Sequence, residues 1–156
     1  MNEEDYMRLA LKEAEKAAKE DEVPVGAVIV KDGEVIAKAH NKKVHHNLAT
    51  DHAELIVIQK AEKKLNNWCL DDCDMYVTLE PCMMCTGVIQ QARIRRLYYG
   101  TSDPKGGCIN SLVDIKQIPR LNIYPKEIHT GLLQNECSQI LKDFFSKKRK
   151  QKQNKR

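Results

Sequence analysis

The feature that most constrains the fold is a strand, a turn and a helix that bring two cysteines to a helix start. The apolar run 75–79 predicts a buried strand, and residues 84–92 predict a helix. Between them, Cys82 and Cys85 stand three positions apart, a spacing that lets both sulfurs hold one metal ion. Pro81 stiffens the turn because it fixes its own φ. The positive end of the helix favours thiolates, so this stretch predicts a metal-binding turn.

A second helix start, upstream, carries His52 and Glu54. His52 and the two cysteines make three zinc ligands and leave a fourth position open. Zinc held in this way lowers the pKa of a bound water to about 7, which provides a nucleophile at neutral pH. Hydrolysis then needs a proton carrier, and Glu54, at the mouth of the same helix, is the candidate. The two helix starts together predict a catalytic zinc site.

Two other uses of these cysteines stay open. A pair with this spacing also occurs in redox proteins and in structural zinc sites. Cys69 and Cys73 offer the two further ligands of an all-cysteine site, but that arrangement gives no role to the histidine and glutamate upstream. Cys108 and Cys137 are interpreted as ordinary residues of a loop and of a helix core.

Length and composition predict one folded domain. The chain has 156 residues, of which 42% are hydrophobic and 31% charged, enough for a full core. No apolar run approaches the ~18 residues of a membrane span, so we expect no membrane association. Residues 1–5 are acidic and polar, unlike the start of a signal peptide, and we therefore expect a cytoplasmic protein.

Charge divides the chain into a body and a tail. Residues 146–156 hold seven Lys or Arg and no acid, so the net charge of +4 leaves −3 for residues 1–145. We interpret 1–145 as one folded domain and 146–156 as a basic C-terminal tail that extends the last helix. A basic tail attracts polyanions such as nucleic acid, although it is also typical of a solubilising extension.

Hydrophobic periodicity predicts an α/β fold around one sheet. The predicted elements are helix 2–20, strands 25–30 and 35–40 joined by an Asp-Gly turn, helix 52–65, strand 73–79, helix 84–92, strand 95–100, a short helix 112–118, strand 127–130 and helix 132–150. Gly26, inside the first strand, predicts either a bulge or a place where a ligand approaches the backbone. Residues 42–50 read as a polar loop, in which His45 and His46 are interpreted as surface residues rather than metal or phosphate ligands. Thr50 or Asp51 is expected to cap the helix that follows.

Several stretches resemble the bacterial tRNA-specific adenosine deaminases of the cytidine deaminase-like zinc deaminase superfamily. His52-Ala53-Glu54 and the metal-binding turn carry the zinc deaminase signature. Further similarity lies in residues 22–28, 39–41, 76–80, 103–107 and 143–145. The resemblance implies a three-layer α/β/α fold with a central five-stranded mixed sheet. It also implies a hydrolase that converts adenosine to inosine at the wobble position of a tRNA anticodon, typically that of an arginine tRNA.

The resemblance assigns roles residue by residue. It implies one Zn²⁺ per subunit of a homodimer, bound by His52, Cys82 and Cys85, with Glu54 as the catalytic proton carrier. The substrate contacts that it implies are Val25, Gly26, Asn41, Ala53, Asp103 and Lys105. The RNA backbone contacts that it implies are Phe145, Lys147, Lys148, Arg149 and Lys150.

One position departs from the family pattern. Asp51 stands before His52, where the family usually has a small residue. Its carboxylate is interpreted as a helix cap rather than as a group that raises the basicity of His52 or repels phosphate.

Two other functions remain as alternatives. The first is deamination of a free base, guanine or cytosine, within the same superfamily. The basic tail argues against it, because a small neutral substrate needs no polycationic arm. The second is a thiol redox or structural-zinc protein, in which Glu54 has no chemical role.

Overall fold

The computed structural model describes residues 1–154 of the chain. Its elements are α1 (Glu3–Lys19), β1 (Gly26–Lys31), β2 (Glu34–His40), α2 (Lys43–His46), α3 (Ala53–Leu65), β3 (Cys73–Leu79), α4 (Met83–Ala92), β4 (Arg96–Thr101), β5 (Glu127–Thr130) and α5 (Gln134–Asn154). The five strands form one sheet in the order β2-β1-β3-β4-β5. Strand β1 is antiparallel to β2 and β3, whereas β3, β4 and β5 are parallel, so the predicted mixed sheet is confirmed.

Helices cover both faces of the sheet and complete the predicted three layers. Alternate residues of β3 point to opposite faces, as the period of a strand requires. Met75 and Val77 join the core cluster that contains Ile58 of α3 and Ile89 of α4. Tyr76 joins the second cluster, beneath α1 and α5. Burial on both faces explains why β3 reads as a continuous apolar run.

Helix α1 begins at a capping box and explains the glycine in β1. The Asn2 side chain accepts from the backbone N–H of Asp5, and the Asp5 carboxylate accepts from that of Asn2. A Cβ on Gly26 would lie 2.0 Å from the Ala10 carbonyl oxygen, so only glycine lets β1 approach this helix. The irregular step in the β1–β2 pairing falls between Ile29 and Val30, so a bulge, one of the two interpretations of Gly26, is wrong.

Three further local predictions differ from the structure. Part of the predicted loop 42–50 forms the short helix α2. The predicted helix 112–118 shrinks to a 3₁₀ turn, Ile115–Gln117, and α5 runs to Asn154 instead of ending near residue 150. The Asp-Gly turn between β1 and β2 is confirmed, because both Asp32 and Gly33 have positive φ. Within residues 1–154, none of the helices combines the length and apolar content needed to cross a bilayer.

Candidate active site

The candidate site lies where the first turns of α3 and α4 meet. His52 is the N-cap residue of α3 and Cys82 that of α4, while Cys85 lies in the first turn of α4. The His52 Nδ1 atom lies 3.6 Å from the Cys82 sulfur and 3.5 Å from that of Cys85. The three ligand atoms all lie within 4.8 Å of one another. The structure therefore brings the three predicted ligands together.

The donor chemistry of this cluster fits zinc. The hydrogen bond from Cys85, supported by His52, lowers the pKa of the Cys82 thiol to about 3. The same bond and burial raise the pKa of Cys85, so a cation is needed before both sulfurs can be thiolates together. One imidazole nitrogen and two sulfurs are a donor set that zinc prefers.

The all-cysteine alternative is contradicted by the geometry. Within residues 1–154, the cluster of His52, Cys82 and Cys85 is the one group of three or more candidate ligand atoms at metal-binding spacing. Cys69 and Cys73 lie outside it. Burial, together with a hydrogen bond to Asp72, raises the pKa of Cys73 to about 12, so this sulfur stays a thiol.

Glu54 is buried at the mouth of α3, beside the three ligands. Glu54 is 4% exposed. Burial raises the pKa of its carboxyl group to about 7, and the nearby Cys82 contributes to the same rise. A carboxyl group with a pKa near the working pH can both accept and donate a proton. This placement suits the predicted proton carrier, whose role remains a prediction.

Asn41 holds the start of α3. Its side-chain Oδ1 accepts from the backbone N–H of Ala53 at 2.8 Å, and its own backbone N–H donates to the Val25 carbonyl at 3.2 Å. Ala53 is one of the substrate contacts that the resemblance implies, and its backbone N–H is already bonded to Asn41. Gly26 turns the side that would carry a Cβ toward α1, and Val25 is buried in the core cluster.

The loop before α3 is held by carboxylates rather than capped by one. Glu22, which is buried, accepts from the backbone N–H groups of Val44 and His45, and His45 Nδ1 lies 2.9 Å from it. The Asp51 carboxylate lies 2.5 Å from His46 Nδ1. Neither Thr50 nor Asp51 caps α3, so the capping prediction is wrong. The N-cap position is His52 itself, the Asp51 carboxylate is paired with His46, and the Ala53 N–H donates to Asn41.

The other predicted substrate contacts lie on the loop after β4. The Asp103 carboxylate accepts from the backbone N–H groups of Lys105 and Gly106, both at 3.1 Å, so it shapes its own loop. Lys105 is exposed. The Cys108 N–H donates to the Pro81 carbonyl at 2.9 Å and ties this loop to the metal-binding turn. These contacts bring the loop beside the site without assigning a ligand to it.

The residues of α5 that are predicted to contact RNA differ in their exposure and in their partners. Phe145 is 44% exposed, and the side chains of Lys147, Arg149 and Lys150 are exposed. Lys148 instead donates to an Asp21 carboxylate oxygen at 2.5 Å and lies over the Phe144 ring. The last two residues of the predicted tail, 155–156, lie outside the described residues.

Sequence reasoning missed two residues that organise the site. Glu22 and Glu80 are buried carboxylates that each hold one of the loops flanking the ligands. A possible signal was present, because both acids stand beside apolar stretches where an unpaired charge is costly. Their partners are backbone N–H groups of distant loops, which no local pattern reveals.

Comparison with known proteins decides the family. Residues 1–149 match the family model of MafB19-like deaminases. The chain is 44% identical over 147 residues to a tRNA-specific adenosine deaminase of Bacillus subtilis, covering 94% of this chain and 91% of that protein. It is 48% identical over 144 residues to that of Agrobacterium fabrum, covering 92% and 94%. The chain belongs to the tRNA-specific adenosine deaminases. This family assignment confirms the resemblance seen in the sequence.

Two solved structures of related deaminases share the fold of this chain. One, from studies of A-to-I editing by tRNA:A34 deaminases at the wobble position of transfer RNA, is 47% identical and has a TM-score of 0.84. It covers 88% of this chain and 99% of its own. A guanine deaminase of Bacillus subtilis is 40% identical with a TM-score of 0.63, covering 65% of this chain and 66% of its own. The similarity to the tRNA deaminase is therefore both closer and more complete.

Proposed function

We propose that this protein hydrolyses adenosine to inosine at the wobble position of a tRNA anticodon. The observation that carries the proposal is the buried carboxylate of Glu54 beside a histidine and two cysteines. Relatives at 44–48% identity are named tRNA-specific adenosine deaminases, which supports adenosine in tRNA as the substrate.

The reaction needs a metal and a proton carrier. When bound by His52, Cys82 and Cys85, zinc supplies a water with a lowered pKa. The water oxygen bonds to C6 of adenine, and the bond between C6 and the amino nitrogen breaks. Of the two water protons, one ends on N1 of inosine and the other leaves in ammonia. Glu54 accepts a proton from the water and donates one to the departing amino group, so its carboxylate is regenerated in each turnover. Because Glu54 is buried, both transfers take place away from bulk solvent.

The neighbouring residues orient the base. Asn41 Oδ1 is fixed by the Ala53 N–H, which leaves the amide NH₂ of Asn41 as the group that can donate to the target nucleotide. Val25 and Gly26 line the pocket through their backbone, because the Val25 side chain lies in the core cluster and the Cβ side of Gly26 faces α1. Asp103 and Lys105 contact the nucleotides that flank the target, on a loop tied to the metal-binding turn.

The same proposal includes the partners. Residues 1–145 form the deaminase domain, and the basic tail 146–156 follows the RNA backbone, with Phe145 beside it. An arginine tRNA is the expected substrate, and a homodimer in the cytoplasm is the expected state. The exposed cations on α5 support the contact with RNA.

An anticodon stem-loop with adenosine at the wobble position tests this function. We expect inosine in the product and none when adenosine stands elsewhere in the loop. A second candidate, deamination of free guanine, is favoured by the 40% identity to a guanine deaminase. Ammonia released from guanine, with no inosine in RNA, would select it.

A further inference from the structure

We propose that Glu80 is a positioning residue that fixes the loop 103–111 against the metal-binding turn, so that this loop presents its residues to the RNA. The inference rests on the proposed function and deepens it. Glu80 stands between the last residue of β3 and Pro81, two positions before the zinc ligand Cys82. Glu80 is 2% exposed, so its carboxylate is withdrawn from solvent and is not available to substrate.

The carboxylate of Glu80 collects donors from both ends of the loop. Its Oε2 accepts from the backbone N–H groups of Ile109 at 3.1 Å, Asn110 at 2.9 Å and Ser111 at 3.0 Å. Its Oε1 accepts from the backbone N–H of Asp103 at 3.1 Å and from the Ser111 hydroxyl at 2.5 Å. A single side chain therefore closes the loop by joining its first residue to its last.

These bonds also account for a buried charge. Burial opposes ionisation of Glu80, but four backbone N–H groups and the Ser111 hydroxyl donate to its two oxygens. A carboxylate that accepts several N–H bonds is stabilised in its charged form, and each such bond is stronger than a neutral one. The loop and the charge thus depend on each other.

Packing around the carboxylate shows how closely the loop is fitted to it. A Cβ on Gly107 would lie 2.3 Å from the Glu80 carboxyl carbon, so the loop backbone passes directly against this group. On either side, the Glu80 N–H donates to the Thr101 carbonyl and the Cys108 N–H to the Pro81 carbonyl, both at 2.9 Å. Movement of the loop and movement of the metal-binding turn are therefore coupled.

A role in stability alone makes a different prediction, and Asp74 provides the matched control. It lies near the other end of β3, is also a buried carboxylate, and accepts from the Arg95 guanidinium at 3.1 Å. If Glu80 only stabilised the fold, Glu80→Gln and Asp74→Asn would lower the melting temperature without a specific effect on the reaction.

The experiment compares both variants as full-length, zinc-loaded proteins. Gln at position 80 keeps the size but turns an NH₂ group toward backbone donors, so at least one N–H loses its acceptor. We expect Glu80→Gln to retain zinc, to raise amide hydrogen exchange in residues 103–111 at least tenfold, and to raise KM for the anticodon stem-loop about tenfold. We expect kcat to change less than KM. Asp74→Asn should leave the loop exchange and KM as in the wild type.

A milder variant covers the case in which Glu80→Gln does not fold. Ser111→Ala removes only the hydroxyl donor, so we expect a smaller rise in exchange, about threefold, confined to the same loop. Wild-type exchange in residues 103–111 for the folded variants, or equal KM changes in Glu80→Gln and Asp74→Asn, would overturn the proposal. If the wild type makes no inosine, the proposed function fails, and exchange alone still decides whether Glu80 holds the loop.

Discussion

The starts of α3 and α4 and the basic end of α5 differ in how far their functional side chains are exposed to solvent. At the helix starts, Glu54 and Cys85 are buried, and the Cys85 sulfur lies 3.5 Å from His52 Nδ1. On α5, Phe145, Lys147 and Arg149 are exposed, and Cys137 is the one buried residue among those of the helix that the structure describes. Proton transfer benefits from exclusion of water, whereas attraction of a polyanion acts over about 8 Å through solvent at physiological salt. Changes at the first region should therefore affect chemistry, and changes at the second should affect affinity and its salt dependence.

Removal of the metal should have the largest effect and tests the contrast between the two regions. Cys82→Ser takes away one of three ligands, so we expect zinc content and deamination to fall to background, while RNA affinity changes little. Cys69→Ser is the control, because Cys69 lies outside the ligand cluster. Metal analysis of both purified variants checks the result. Loss of zinc from the Cys69 variant would restore the all-cysteine site.

Replacement of the proton carrier comes next in size. Glu54→Gln keeps the volume but cannot accept a proton, and general acid–base groups contribute about 10²–10⁴-fold, so we expect kcat to fall about 10³-fold. Zinc content and RNA affinity should match the wild type. Glu62→Gln, on the far turn of the same helix, is the matched control and should keep full activity. Single-turnover rates with the anticodon stem-loop measure both, and more than a tenth of wild-type activity in Glu54→Gln would contradict the mechanism.

The two regions also differ in how far the sequence predicts them. The helix starts carry residue types with few other uses at that spacing, and the long apolar run of β3 fixes where the turn must lie. Glu22, Glu80 and the oxygen of Asn41 act through backbone groups distant in sequence, so their roles need the fold. At α5, periodicity predicts a helix. It does not predict that the hydrophobic residues at the basic end are only partly covered, because their burial depends on how far the sheet extends beneath the helix.

Neutralising the exposed cations of α5 should have an intermediate effect. We expect the combined change Lys147→Gln, Arg149→Gln and Lys150→Gln to weaken RNA binding about tenfold at physiological salt and to reduce the salt slope by about 2 to 3. At saturating RNA, kcat should stay as in the wild type. Binding isotherms at several salt concentrations measure this effect.

Lys148 supplies the control within the same helix. Its Nζ is engaged with Asp21, so Lys148→Gln should change the salt slope less than the same substitution at position 147. Equal slopes for all these variants and the wild type would mean that the tail serves solubility alone.

The smallest effect is expected at the pair formed by Asp51 and His46. The imidazole is half exposed, and pairs of this kind contribute at most about 1 kcal/mol, so Asp51→Ala should lower the melting temperature by only a few degrees. His46→Ala should have a similar effect. In the double variant the two losses should not add, because each change removes the same contact. Full additivity would mean that Asp51 acts elsewhere, as a group that repels phosphate or tunes His52. Unchanged stability with altered deamination would point to the same conclusion, and would move Asp51 from the supporting framework into the substrate-facing surface.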